Sequence, residues 1–158
     1  MGFVFSLVAG LLYAFKPTTP YLAAIAIVAS GIFDVLDGAV ARVTQRVSKS
    51  GSFNDSTLDR LAEVAIYAGI AYGNLAPPVL VLLALSFSLL VSYTRAKGDS
   101  LGISLSGIGI GERAERLIVL IVFSIVGYVY VGVAIVFILA TITFVQRYVK
   151  ILSKLRST

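Results

Sequence analysis

The sequence predicts an all-α integral membrane protein, a six-transmembrane-helix bundle with both termini cytoplasmic. Three observations carry the prediction. Hydrophobic residues make up 58% of the 158, with a mean hydropathy of +0.97, whereas a soluble domain is roughly 45–50% apolar. The apolar residues form runs such as "PPVLVLLALSFSLLVSY" that do not alternate as barrel strands would. The Lys and Arg residues collect at alternate ends of those runs.

Taken in order, the runs cover residues 2–15, 20–41, 51–72, 77–94, 117–130 and 131–149, joined by Pro-, Gly- and Ser-containing turns. The length suits about six crossings of roughly 20 residues each, so 1–158 is one domain. The first run, about 14 residues or roughly 21 Å, is short for a core of roughly 30 Å. It has no basic leader and no small-residue cleavage site, so it does not read as a removable signal peptide; an N-terminus trimmed of an earlier segment, or a start codon assigned too late, is expected. With the N-terminus in the cytoplasm, Arg42, Arg46, Lys49, Arg95, Lys97, Arg113, Arg116, Arg147, Lys150, Lys154 and Arg156 all fall inside and only Lys16 outside. The polar loops then face the cytoplasm from the cell membrane.

Composition also excludes chemistry. Without Cys or His there is no disulfide framework, thiolate or imidazole, so Asp, Glu, Lys, Arg or Tyr must do any acid–base or ligand work. The net charge of +5 is spread over helix ends, not gathered in a soluble patch, which argues against nucleic acid.

Against this background, Asp34, Asp37, Asp55 and Asp59 are half of the eight carboxylates. An aspartate near a helix centre in lipid costs about 2.5–3.5 kcal/mol, so four require a ligand. Asp34 and Asp37 lie one turn apart on one face, as do Asp55 and Asp59 on the next helix. Joined by a short loop, the two helices are expected to be antiparallel neighbours whose acidic faces converge. An all-oxygen set suits Mg²⁺, Mn²⁺ or Ca²⁺ rather than zinc or copper. Gly38, Ala39 and Ala41 strip the helix of bulk for a close ligand. Arg42 is placed to meet a phosphate, and Gly51 to offer free backbone N–H groups to one.

The pattern Asp34-x-x-Asp37-Gly38-x-x-Ala41-Arg42, eight residues, Gly51-x-x-x-Asp55-x-x-x-Asp59 resembles the motif of the CDP-alcohol phosphotransferases, with every spacing kept. The resemblance implies transfer of a phosphatidyl-type group from a CDP-linked lipid to an alcohol with CMP leaving. It implies a divalent-metal site of about two ions at Asp34, Asp37, Asp55 and Asp59, with Asp59 as general base. It also implies nucleotide contacts at Asp34, Asp37, Gly38, Ala41, Arg42, Gly51 and Asp55, and a homodimer. Family members usually begin with an interfacial amphipathic helix that this sequence does not show.

The acceptor is expected at "SYTRAKGDS" and "GIGIGERAERL". Arg95, Lys97, Arg113 and Arg116, with Lys49, suggest an acceptor carrying its own phosphate; Arg113 and Arg116 share a face at the start of a helix, where the dipole favours an anion. These segments resemble the branch, especially its archaeal members, that uses inositol 1-phosphate with CDP-archaeol or CDP-diacylglycerol. Glycerophosphate or serine as acceptor remains the alternative within the family, and a divalent-cation transporter the alternative outside it. Glu63 is read as a partner of Arg60 or a site residue, Arg147 and the later C-terminal cations as topology charge, and "GIGIG" as a flexible loop. Gly69 and Gly73 are read as close-packing positions or a dimer interface, and Tyr72, Tyr93 and Tyr148 as an interfacial belt.

Overall fold

The computed structural model describes residues 2–43, 48–105 and 107–156, with the backbone alone at 41–43. It contains α1 (Gly2–Phe15), α2 (Pro20–Val43), α3 (Lys49–Tyr72), α4 (Pro78–Ser100), α5 (Arg113–Ile125) and α6 (Val129–Arg156), with no strand among the described residues. Three of them, in α2, α4 and α6, are long and apolar enough to cross a membrane; α1 is apolar but shorter.

Element order follows the apolar runs, while several ends move. Helix α4 continues past 94 to Ser100, because backbone hydrogen bonding does not depend on hydropathy and nothing in "RAKGDS" breaks it. The α5–α6 boundary, expected at 130–131, lies instead at Val126–Tyr128. There Gly127 takes φ +79°, Tyr128 N–H donates to the Phe123 carbonyl at 2.8 Å, and Gly127 N–H donates to that of Ser124 at 3.3 Å. This is the left-handed cap that Gly adopts without a Cβ penalty. The same bonding closes α3 at Asn74 (φ +52°) and α4 at Gly102 (φ +71°). At the other end, Ser48 caps α3 by accepting the Gly51 N–H on Oγ at 3.0 Å.

The helices close into a ring in the spatial order α1, α3, α4, α6, α5, α2 and back to α1. This corrects the expectation that α2 and α3 pack directly on one another: their principal contacts are with α1, which stands between them. Glycine makes that possible. A Cβ on Gly69 would overlap the Gly10 carbonyl and one on Gly10 the Ala65 carbonyl, so α1 and α3 cross at backbone contact. Gly73 abuts the Tyr13 carbonyl in the same way, which assigns both packing glycines to an internal crossing. Ser6 and Ser30 join α1 to α2 by a 2.8 Å hydrogen bond. Tyr13 spans the core to Ser124 of α5 at 2.5 Å. Ile27, Ile66, Ile70, Leu120, Val133 and Val136 fill the centre, and with α1 wedged between α2 and α3 their acidic stretches face each other across open space.

Candidate active site

That space is a cavity of about 250 Å³ lined by Asp34, Asp37, Gly51, Asn54, Asp55, Asp59 and Arg113, with Gly2 of α1 abutting Asp34. All four aspartates therefore share one cavity, as their helical spacing anticipates. They do not form a tight cluster: among the described residues no three acidic side chains stand together as a ready ligand set. Asp34 and Asp59 instead share the guanidinium of Arg113, whose Nη1 lies 3.4 Å from Asp34 Oδ2 and 2.5 Å from Asp59 Oδ1. The donor set still fits a hard divalent cation, being four carboxylates without imidazole or thiolate.

The neighbouring positions divide. Gly38 is exposed, and among the described residues no atom beyond its own stretch of helix backbone would meet a Cβ there within 4 Å, leaving room for a ligand. The side chains of Ala41 and Arg42 lie outside the described residues, as does Arg46. Gly51 corrects the reading of free N–H groups: α3 starts two residues earlier, and the Gly51 N–H is already bonded to Ser48.

Beyond Asp59 opens a second cavity of about 500 Å³ between α3, α4, α5 and α6. Its walls carry Arg60, Arg95, Arg113, Arg116 and Arg147 against Asp59, Glu63, Asp99 and Glu112, with Ser52, Ser56 and Ser92 between them. Asp59 and Arg113 line both cavities. Arg95 is half exposed and stands 3.7 Å from Glu112. Lys97 is exposed and Lys49 lines an adjoining surface groove, so neither reaches this wall.

Arg116 departs from its expected role as an open phosphate ligand. Its side chain is 1% exposed, with Nη2 on Glu63 Oε1 at 2.6 Å and Nη1 on the Gly111 carbonyl at 2.8 Å. Glu63 thus pairs with Arg116 rather than Arg60, whose own guanidinium folds back onto the Ser56 carbonyl. Arg147 departs further from topology charge. It is 2% exposed and donates to the Ile108 carbonyl (2.9 Å), the Val91 carbonyl (3.0 Å) and Glu112 Oε1 (2.6 Å). With Gly111 N–H bonded to Thr143 Oγ1 at 2.9 Å, the "GIGIG" loop is tied to α6 rather than hanging free. Sequence reasoning missed Glu112, the carboxylate between Arg95 and Arg147; it precedes a helix with no periodic pattern to mark it. Tyr72, Tyr93 and Tyr148 are exposed, as an interfacial belt requires.

A third feature is an apolar groove of about 640 Å³ between α2 and α5, walled by Ile27, Val28, Ile32, Leu117, Ile118 and Ile121 and ending at Asp34 and Arg113. The bundle therefore presents an apolar groove, a carboxylate cavity and an arginine-rich cavity in sequence. That combination, with three helices long and apolar enough to cross a membrane, defines an all-helical membrane protein with a charged site inside its bundle.

Comparison with known proteins agrees. Residues 1–149 match the family model of the CDP-alcohol phosphatidyltransferases, and the chain belongs to that family of phospholipid-biosynthetic transferases. It is 42% identical over 147 residues, 93% of this chain and 77% of the relative, to an archaetidylinositol phosphate synthase of Pyrococcus horikoshii. The fold is similar to the crystal structure of Mycobacterium tuberculosis phosphatidylinositol phosphate synthase with CDP-DAG bound (TM-score 0.83, 27% identity, 95% of this chain and 82% of that one). A structure of the same enzyme in complex with manganese and citrate gives a TM-score of 0.81 at 27% identity, covering 95% of this chain and 78% of that chain.

Proposed function

We propose that this protein transfers the archaetidyl or phosphatidyl group of CDP-archaeol or CDP-diacylglycerol to inositol 1-phosphate, releasing CMP. The observation that carries the reading is the shared wall: Asp59 and Arg113 line both the carboxylate cavity and the arginine-rich cavity. A donor diphosphate among the aspartates and a phosphorylated acceptor among the arginines would meet at those two side chains. The names of the relatives support the same acceptor and donor class.

On this reading Asp59 takes the proton of the attacking hydroxyl as the new P–O bond forms and the bond to CMP breaks. Asp34, Asp37, Asp55 and Asp59 would hold Mg²⁺ or Mn²⁺, two ions by family resemblance, and such ions when bound neutralise a diphosphate. Gly38, Ala41, Arg42 and Gly51 serve the nucleotide, and Arg95 and Arg113 the acceptor phosphate, with Lys49 and Lys97 outside its cavity. The apolar groove between α2 and α5 takes lipid chains. The proposal extends to six crossings, both termini in the cytoplasm, a site facing the cytoplasm from the cell membrane, and a homodimer.

The test is CMP release by purified protein with Mg²⁺ and either donor, offering inositol 1-phosphate, free inositol, glycerol 3-phosphate and serine separately. Release with inositol 1-phosphate alone, lost on chelation and restored by Mg²⁺ or Mn²⁺, is expected; equal release with free inositol would overturn the acceptor assignment.

A further inference from the structure

Beneath the Asp59–Arg113 pair lies a second one. Glu63 is one turn beyond Asp59 on α3, and Arg116 is one turn beyond Arg113 on α5, so the two ion pairs stack as rungs between the helices. The main packing of α3 is on α1 and α4, and that of α5 on α2 and α6, so these rungs bridge helices on opposite sides of the ring. The rungs differ in burial. The Arg113 and Asp59 side chains are 27% and 29% exposed at the cavities, whereas Arg116 and Glu63 are 1% and 3% exposed.

The lower rung reaches further than its two helices. Arg116 also holds the Gly111 carbonyl, Gly111 N–H is held by Thr143 of α6, and a Cβ on Gly111 would stand 2.9 Å from Leu139. The next two residues are Glu112, which faces Arg95 and Arg147, and Arg113 itself. One buried pair thus connects α3, α5 and, through Gly111, α6, next to the segment that brings both side chains to the arginine-rich cavity. Burial of this kind is not in itself evidence of stability, since apolar residues of similar volume commonly replace such pairs without loss.

We propose that Glu63 and Arg116 are positioning residues: they fix Arg113 and Glu112 at the acceptor cavity and so govern acceptor affinity without contacting the acceptor. This rests on reading that cavity as the acceptor site. The test compares wild type, Glu63→Gln and the apolar double variant Glu63→Leu/Arg116→Met by thermal unfolding and by separate donor and acceptor titrations of CMP release. The double variant is expected to fold, with an unfolding temperature lowered by about 10 °C or less because the Gly111 carbonyl loses its donor, acceptor KM raised by about tenfold and donor KM held within about twofold. An unchanged acceptor KM in folded double variant would overturn the inference. Should the double variant fail to fold, Glu63→Gln, which keeps volume and a hydrogen-bond acceptor, carries the same expectation in smaller measure and the same refutation. If wild type prefers another acceptor, the acceptor assignment fails while the titrations, run with that acceptor, still decide. If wild type turns over none, the proposed function fails and inorganic phosphate becomes the probe. It should then raise the unfolding temperature of wild type but not of the double variant, equal stabilisation overturning the inference.

Discussion

Replacement of Arg147 by Met separates two accounts of a C-terminal cation. As topology charge at a helix end it would contribute about 0–1 kcal/mol. In the structure it is buried and donates to two backbone carbonyls, on α4 and in the 101–112 loop, and to Glu112. Met fills most of the volume but leaves the Ile108 carbonyl without this donor, at roughly 1–3 kcal/mol, and takes one hydrogen bond from the Val91 carbonyl, which keeps Thr94 Oγ1 at 3.0 Å, at roughly 0.5–1.5 kcal/mol. Glu112 is about one-third exposed, can recover water and retains Arg95, so it adds little. The sum, roughly 1.5–4.5 kcal/mol, overlaps the usual cost of removing one partner from a buried pair. At about 2–4 °C per kcal/mol for a chain of this size, unfolding in detergent should fall by roughly 3–18 °C. Arg147→Lys keeps the charge, yet one ammonium cannot span all three acceptors, so an intermediate loss is expected. A fall of less than about 2 °C in Arg147→Met would refute the reasoning.

Three further expectations follow from the same geometry. Asp59→Asn should retain donor binding by CDP titration while CMP release drops by about 100-fold or more, as loss of a general base requires; near-normal release would remove Asp59 from that role. Gly69→Ala forces α1 from α3 and should cost about 1–3 kcal/mol, whereas Gly38→Ala meets open space and should unfold at or slightly above the wild-type temperature; identical melting of the two variants would contradict the α1–α3 crossing. Arg113→Gln should raise the acceptor KM while Lys97→Ala leaves it unchanged, and an effect of Lys97 equal to that of Arg113 would relocate the acceptor site.

Local physics made much of the protein legible in its sequence. Six helices follow from runs of apolar residues punctuated by Pro and Gly, because backbone bonding and capping depend on near neighbours. The acidic motif was readable for the same reason: spacings of three and four residues place Asp34 with Asp37 and Asp55 with Asp59, and the structure brings all four to one cavity.

Arg113 and Arg116 mark the limit. They share one face of one helix, and nothing local distinguishes them, yet the first stands at the junction of two cavities and the second is buried against Glu63. Arg147 reads as an ordinary end-of-helix cation until the Val91 and Ile108 carbonyls arrive from elsewhere in the chain. Likewise the short loop joining α2 to α3 suggests direct neighbours, and only the backbone contact of Gly10 with α3 explains how α1 holds them apart. Periodicity determines which residues share a helix face, and so determined the chemistry this chain carries. What that face meets at a given height depends on groups brought by distant segments, so tertiary structure alone decided which cations line the site and which brace it.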